Sequence, residues 1–173
     1  MDLEETLRDL APRLLRYGLA RCGDRALAEE AAQDGLAALA RRWRRSGPPG
    51  QAGGFAFAVT RRRLFRALAR RRLLTPLAAL ANGHGRRLDP DPDPNPDADP
   101  ERRALSRADL ERTLAAIRAL PRPEREALLL VAVGELSSDE AAALAGVSRS
   151  ALKMRVLRAR RRLQAALGNG ATR

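Results

Sequence analysis

The chain has 173 residues, with 33 basic against 21 acidic side chains and a net charge of +12, a balance that suits a polyanionic partner and an affinity falling steeply with salt. A single cysteine, Cys22, and a single histidine, His84, exclude an intrachain disulfide and a Cys/His zinc cluster. No apolar run approaches the ~20 residues that cross a bilayer, and Met1 to Asp9 is acidic and amphipathic rather than signal-like, so no membrane partner is expected and the expected location is cytoplasmic.

Leu3, Leu7, Leu10 and Leu14 recur at intervals of four, three and four, one face of a helix that Pro12 is expected to kink or interrupt. Asp24 is placed to cap a second helix, whose apolar stripe is Ala32, Leu36, Leu39 and Trp43. The other side of that helix gathers Glu29, Glu30, Gln33 and Asp34 into an acidic patch on an otherwise basic segment. SGPPGQAGG then breaks the chain. A third helix is expected from about Phe55 to Arg72, with seven arginines and no acid between Arg61 and Arg72.

Charge divides the chain into two basic blocks around an acidic spacer: residues 1–82 carry +8, residues 83–100 carry −3 and residues 101–173 carry +7. The spacer includes DPDPNPDADP, where each proline removes a backbone donor and turns the preceding residue away from helix. It reads as a flexible, disordered linker between two small helical domains, 1–82 and 101–173. Its Asp spacing lacks the glycine turn and terminal bidentate Glu of a calcium loop, so no metal is assigned. Strand-like alternation with hairpin signals is absent throughout, and the expected fold class is all-α.

Near the C-terminus, SSDEAAALAGVSRSALKMRVLRARRRLQ has the spacing of a helix-turn-helix followed by an uninterrupted basic helix. Ser138 is the expected N-cap of the first helix, with Asp139 and Glu140 at its positive end. Ala142 leaves room for a crossing helix, Gly146 takes the left-handed conformation that ends the first one, and Val147 fills the angle between them. Ser148 caps the second helix, which turns Leu152, Val156, Ala159 and Leu163 inward. Ser150, Lys153, Met154, Leu157, Arg158 and Arg161 face outward, flanked by Arg149, Arg155, Arg160 and Arg162. A solvated helix face normally mixes charge signs, whereas the seven basic residues from Arg149 to Arg162 have no acid among them to pair with. Duplex DNA is therefore the expected partner, with cations on phosphates and Met154 and Leu157 suited to thymine methyls.

Two helical domains, each with a basic helix and joined by an acidic linker, resemble the extracytoplasmic-function (ECF) group of bacterial RNA polymerase sigma factors. ALPRPEREALLLVAVGELSSDEAAALAGVSRSALKMRVLRARRRL is similar to that group's promoter-binding domain, including the Leu120-Pro121 break and the Arg125-Glu126 pair. The resemblance implies that Arg149, Ser150, Lys153, Met154, Arg155, Leu157 and Arg158 read the upstream promoter element. AEEAAQDGLAALARRW is similar to the helix with which such factors grip the clamp coiled coil of core polymerase, with Glu30, Gln33 and Asp34 at matching places. An acidic face on a basic domain suits a protein partner that presents arginines. GFAFAVTRRRLFRALARRR matches the helix that opens the duplex, which implies contacts of Phe55, Phe57, Arg61, Arg62 and Arg66 with the displaced strand at the downstream element. It departs from the family, which usually has Trp-Leu at Phe55-Ala56, Asn at Arg62 and Asp at Arg66, and its preceding loop has no aromatic residue.

The resemblance further implies a contact with the polymerase flap and an anti-sigma factor as an additional partner, and gives the linker either a phosphate-mimicking role in polymerase or that of a passive tether. The function expected is promoter selection and assistance to initiation. A sigma-like decoy or adaptor that binds core polymerase or an anti-sigma factor without starting transcription is the alternative, together with a stand-alone helix-turn-helix regulator. No nucleophile and base pair, metal cluster or phosphate loop supports an enzyme or a cofactor.

Overall fold

In the computed structural model, which describes residues 2–78 and 100–168 with side chains placed for 2–71 and 108–168, Asp2 opens α1 (Leu3–Cys22) by accepting from the Glu5 amide at 2.8 Å. Pro12 does not interrupt this helix, which runs unbroken through it. The exposed proline lies opposite a stripe in which Leu10, Leu14 and Tyr17 are buried, so packing outweighs the lost backbone bond. Asp24 caps α2 (Arg25–Ser46) as expected, accepting from the Leu27 amide at 3.0 Å.

The third helix, α3 (Ala52–Ala78), begins three residues before the expected Phe55. Gly53 and Gly54 lie inside its first turn, where the Phe55 amide donates to the Gln51 carbonyl at 3.0 Å. Helices α2 and α3 meet closely at Gly35. A β-carbon there would fall 2.9 Å from the Ala56 carbonyl and closer still to Thr60 Oγ1, so only glycine fits.

The segment read as linker lies outside the described residues except at Pro100, which starts α4 (Pro100–Ala119). Beyond the Leu120-Pro121 break come α5 (Arg122–Leu128) and a π-helical turn over Leu129–Val133, closed by the Gly134 amide on the Leu129 carbonyl at 2.8 Å. Then follow α6 (Ser138–Ala145) and α7 (Arg149–Gly168). All described elements are helical, in agreement with the all-α expectation.

The two helical blocks pack against each other. One apolar cluster runs from Leu10, Leu14, Tyr17 and Phe57 of the first block to Leu129, Leu130 and Leu136 of the second. Gly134, beside the π turn, lies against the Phe57 ring, and that ring meets Tyr17 edge-on with centroids 5.5 Å apart. Around this apolar contact, Arg13 donates to the Gly134 carbonyl at 2.7 Å and Arg16 pairs with Glu135 at 3.2 Å. Glu126, buried at the junction, accepts from Tyr17 Oη at 2.8 Å and from Arg61 Nε at 2.7 Å, and its other oxygen lies 3.2 Å from Arg21 Nε.

Candidate nucleic-acid interface

The helix-turn-helix is built from its caps outward. Ser137, not Ser138, caps α6: its hydroxyl accepts from the Glu140 amide at 3.3 Å while the Glu140 carboxylate takes the Ser137 amide at 3.0 Å. The reciprocal bond requires Ser and Glu three apart, which selects Ser137 over its neighbour. Gly146 ends the helix at φ +66°, and the Val147 amide returns to the Ala142 carbonyl at 3.1 Å. Ser148 caps α7 through the Ala151 amide at 3.2 Å. Inward, Leu152 and Ala159 are fully covered, with Val156 and Leu163 packed beside them.

Outward, α7 presents Arg149, Ser150, Lys153 and Arg158 to solvent, with Arg155 half-buried. Met154 and Leu157 are 50 % and 40 % exposed, an apolar pair left uncovered amid cations. The expectation that these cations lack acidic partners holds within the helix but not across the fold. Buried Glu124 of α5 lies 3.4 Å from Arg158 Nε and 2.9 Å from Arg162 Nε, and Asp139 lies 3.5 Å from Arg149. Among the described residues no acid pairs with Lys153, Arg155, Arg160 or Arg161, so the positive field of the face survives.

On α3 the expected strand contacts are divided. Arg62 and Arg66 are exposed, whereas Arg61 is half-buried and committed to Glu126. Phe57 is fully buried and offers no stacking surface, a correction to its expected role. Its register with Ala56, Thr60 and Leu64 places it on the core face of α3. Phe55 remains half-exposed at the edge of a cavity of about 570 Å³ that it shares with Ala38, Arg41, Arg42 and Arg45. These three α2 arginines were not among the expected contacts, although ARRWRR signals them in the sequence. An aromatic edge beside guanidinium donors can hold both a base and its phosphate.

The acidic face of α2 is assembled as expected, with Glu30, Gln33 and Asp34 exposed one turn apart. It carries a partner invisible in the sequence. Arg63 reaches over from α3 to pair with Glu30, and its Nε lies 3.1 Å from Asp34 Oδ2. Glu29 is taken by Arg25 at 2.7 Å.

Among the described residues, Tyr17 and Cys22 titrate away from their ordinary values. Burial, then the Glu126 charge, then the hydrogen bond to Glu126 push the Tyr17 hydroxyl well up, so it stays a donor at neutral pH. Burial likewise raises the Cys22 thiol. Among the described residues no cluster of His, Cys, Asp and Glu could hold a metal ion, and no helix is long and apolar enough to cross a membrane.

Residues 6–73 match the family Sigma-70 region 2, and residues 110–163 match Sigma-70, region 4. Among solved structures, the sigma factor RpoE in complex with the anti-sigma factor NepR from Bartonella quintana is 22% identical, with a TM-score of 0.68 over 95% of this chain and 96% of that one. CnrH in complex with the cytosolic domain of CnrY is 20% identical, with a TM-score of 0.65 over 96% of this chain and 88% of that one. Both likenesses concern the fold, and no curated protein matches. The matched regions fall on the two helical blocks, the first holding the acidic face and the arginine helix, the second the helix-turn-helix. With both regions in order along the chain, the protein belongs to the sigma-70 family of RNA polymerase sigma factors and directs core polymerase to promoters.

Proposed function

We propose that α7 enters the major groove of the upstream promoter element through Arg149, Ser150, Lys153, Met154, Arg155, Leu157 and Arg158. The exposed Met154 and Leu157 carry this reading. An apolar pair on a cationic face gains nothing in water, but it gains burial against thymine methyls while the surrounding arginines hold phosphates. Glu124 lies beneath Arg158 and Arg162 and offsets part of their charge, leaving Lys153 and Arg155 as cations on this face with no acidic partner among the described residues.

Within the first block, Glu30, Gln33 and Asp34 bind the clamp coiled coil of core polymerase. Arg62 and Arg66 hold the displaced strand, while Arg61 stays on Glu126, and Phe55 is the stacking surface beside Arg41, Arg42 and Arg45. The protein works in the cytoplasm, with the flap as a second polymerase contact. An anti-sigma factor is a further partner, a reading supported by the NepR and CnrY complexes of its structural relatives. Run-off transcription with core polymerase tests the proposal. Transcripts that require both the upstream element and intact α7 support it, and core binding without any transcript would make the protein a decoy.

A further inference from the structure

We propose that Arg63 is an internal occupant of the acidic face of α2 and that core polymerase must displace it to bind. The inference rests on the reading of Glu30, Gln33 and Asp34 as the core-binding face. Glu30 and Asp34 lie one turn apart, and Arg63 spans them with Nη2 on Glu30 Oε1 and Nε at 3.1 Å from Asp34 Oδ2. Arg63 donates a hydrogen bond to Glu30, and its delocalised positive charge lies beside Asp34 without a hydrogen bond to it, so one arginine offsets both carboxylates at once. A cationic partner residue therefore meets carboxylates already in use, and its gain is offset by the Arg63 contacts it removes.

Exposure makes such an exchange accessible. The side chains of Glu30 and Asp34 are 56% and 52% exposed and that of Arg63 is 34% exposed, so the arginine can swing into water without opening the core. Contact between α2 and α3 rests elsewhere, on Gly35 against Ala56 and Thr60 and on buried Leu39 and Leu64. Removing Arg63 thus strips the lock and leaves the helix pair in place.

The test titrates the full-length protein with core polymerase. Exposed ion pairs are individually weak, so Arg63→Ala and Arg63→Gln are each expected to tighten core binding about three- to ten-fold. A purely structural residue would weaken binding when lost. Thermal unfolding of both variants verifies the fold, and either variant alone suffices if the other is unstable. The double variant Glu30→Lys with Asp34→Lys abolishes binding if the face is the core-binding one. Loss of binding there combined with unchanged or weaker binding by the Arg63 variants overturns the displacement alone. Wild-type affinity in the double variant overturns the core-binding reading and this inference with it.

Discussion

Glu126→Ala is expected to destabilise the protein by about 3–5 kcal/mol, the range for removing one member of a buried ion pair. The side chain is 8% exposed and has partners on two helices of the first block: Tyr17 Oη at 2.8 Å and Arg21 Nε at 3.2 Å from α1, and Arg61 Nε at 2.7 Å from α3. Its partners differ in what they lose. Arg61 is 29% exposed and can turn to water, so it adds little, while Arg21 is 5% exposed and would keep an uncompensated charge. The Tyr17 hydroxyl would also lose its acceptor, and because all three share one carboxylate the losses do not add. Urea unfolding followed by far-UV circular dichroism and by Trp43 fluorescence measures the effect, with coincident transitions expected because one core spans both blocks. Pairing Glu126→Leu with Arg21→Met should recover most of the loss, since apolar groups of similar volume replace a buried pair at little cost. A loss under about 1 kcal/mol for Glu126→Ala would refute the reasoning, because it would place Glu126 in water rather than at a buried junction.

Further expectations concern other links of the same chain. Tyr17 ionises less readily folded than unfolded, so its contribution is intact below its ordinary pKa of about 10 and is lost as pH rises from there toward the raised folded value; Tyr17→Phe should remove that alkaline decline, which a series of denaturation curves above neutral pH would show. Gly35→Ala should cost about 1–3 kcal/mol by overpacking α2 against α3, read as a lower unfolding midpoint. Arg158→Ala should weaken upstream-element binding by about 1–3 kcal/mol at physiological salt, and unchanged affinity would remove Arg158 from the base contacts. In a promoter library, randomised downstream bases should be tolerated better than upstream ones, because Arg62 and Arg66 offer donors only; equally strict selection at both elements would exclude loose reading.

Periodicity made the helices legible, because burial of one face is local in sequence: Leu10 and Leu14, Leu39, Leu152 and Ala159 all face inward as their spacing requires. Caps with side-chain signatures were legible to within one residue, as Ser137 against Ser138 shows. The π turn was not, since LLLVAV is apolar on every side and contains no phase from which an extra residue could be detected. Nor was the burial of Phe57, which depends on Gly134 arriving from a distant part of the chain. Ion pairs between elements were equally hidden: the partners of Arg63, Arg61 and Arg158 lie 29 to 65 positions away.

Those hidden pairs change what the arginine run on α3 means. Composition alone makes Arg61, Arg62, Arg63 and Arg66 equivalent cations, available together to a nucleic-acid strand. The fold sorts them. Arg61 compensates Glu126 at the junction of the two blocks, Arg63 covers the acidic face of α2, and Arg62 and Arg66 face solvent. A helix that binds a partner and also packs between acidic neighbours cannot use every cation for the partner at once, because each internal pair must be broken before its arginine is free. The positive charge that α3 offers to solvent is therefore set by which acids its arginines already face, rather than by the number of arginines on the helix.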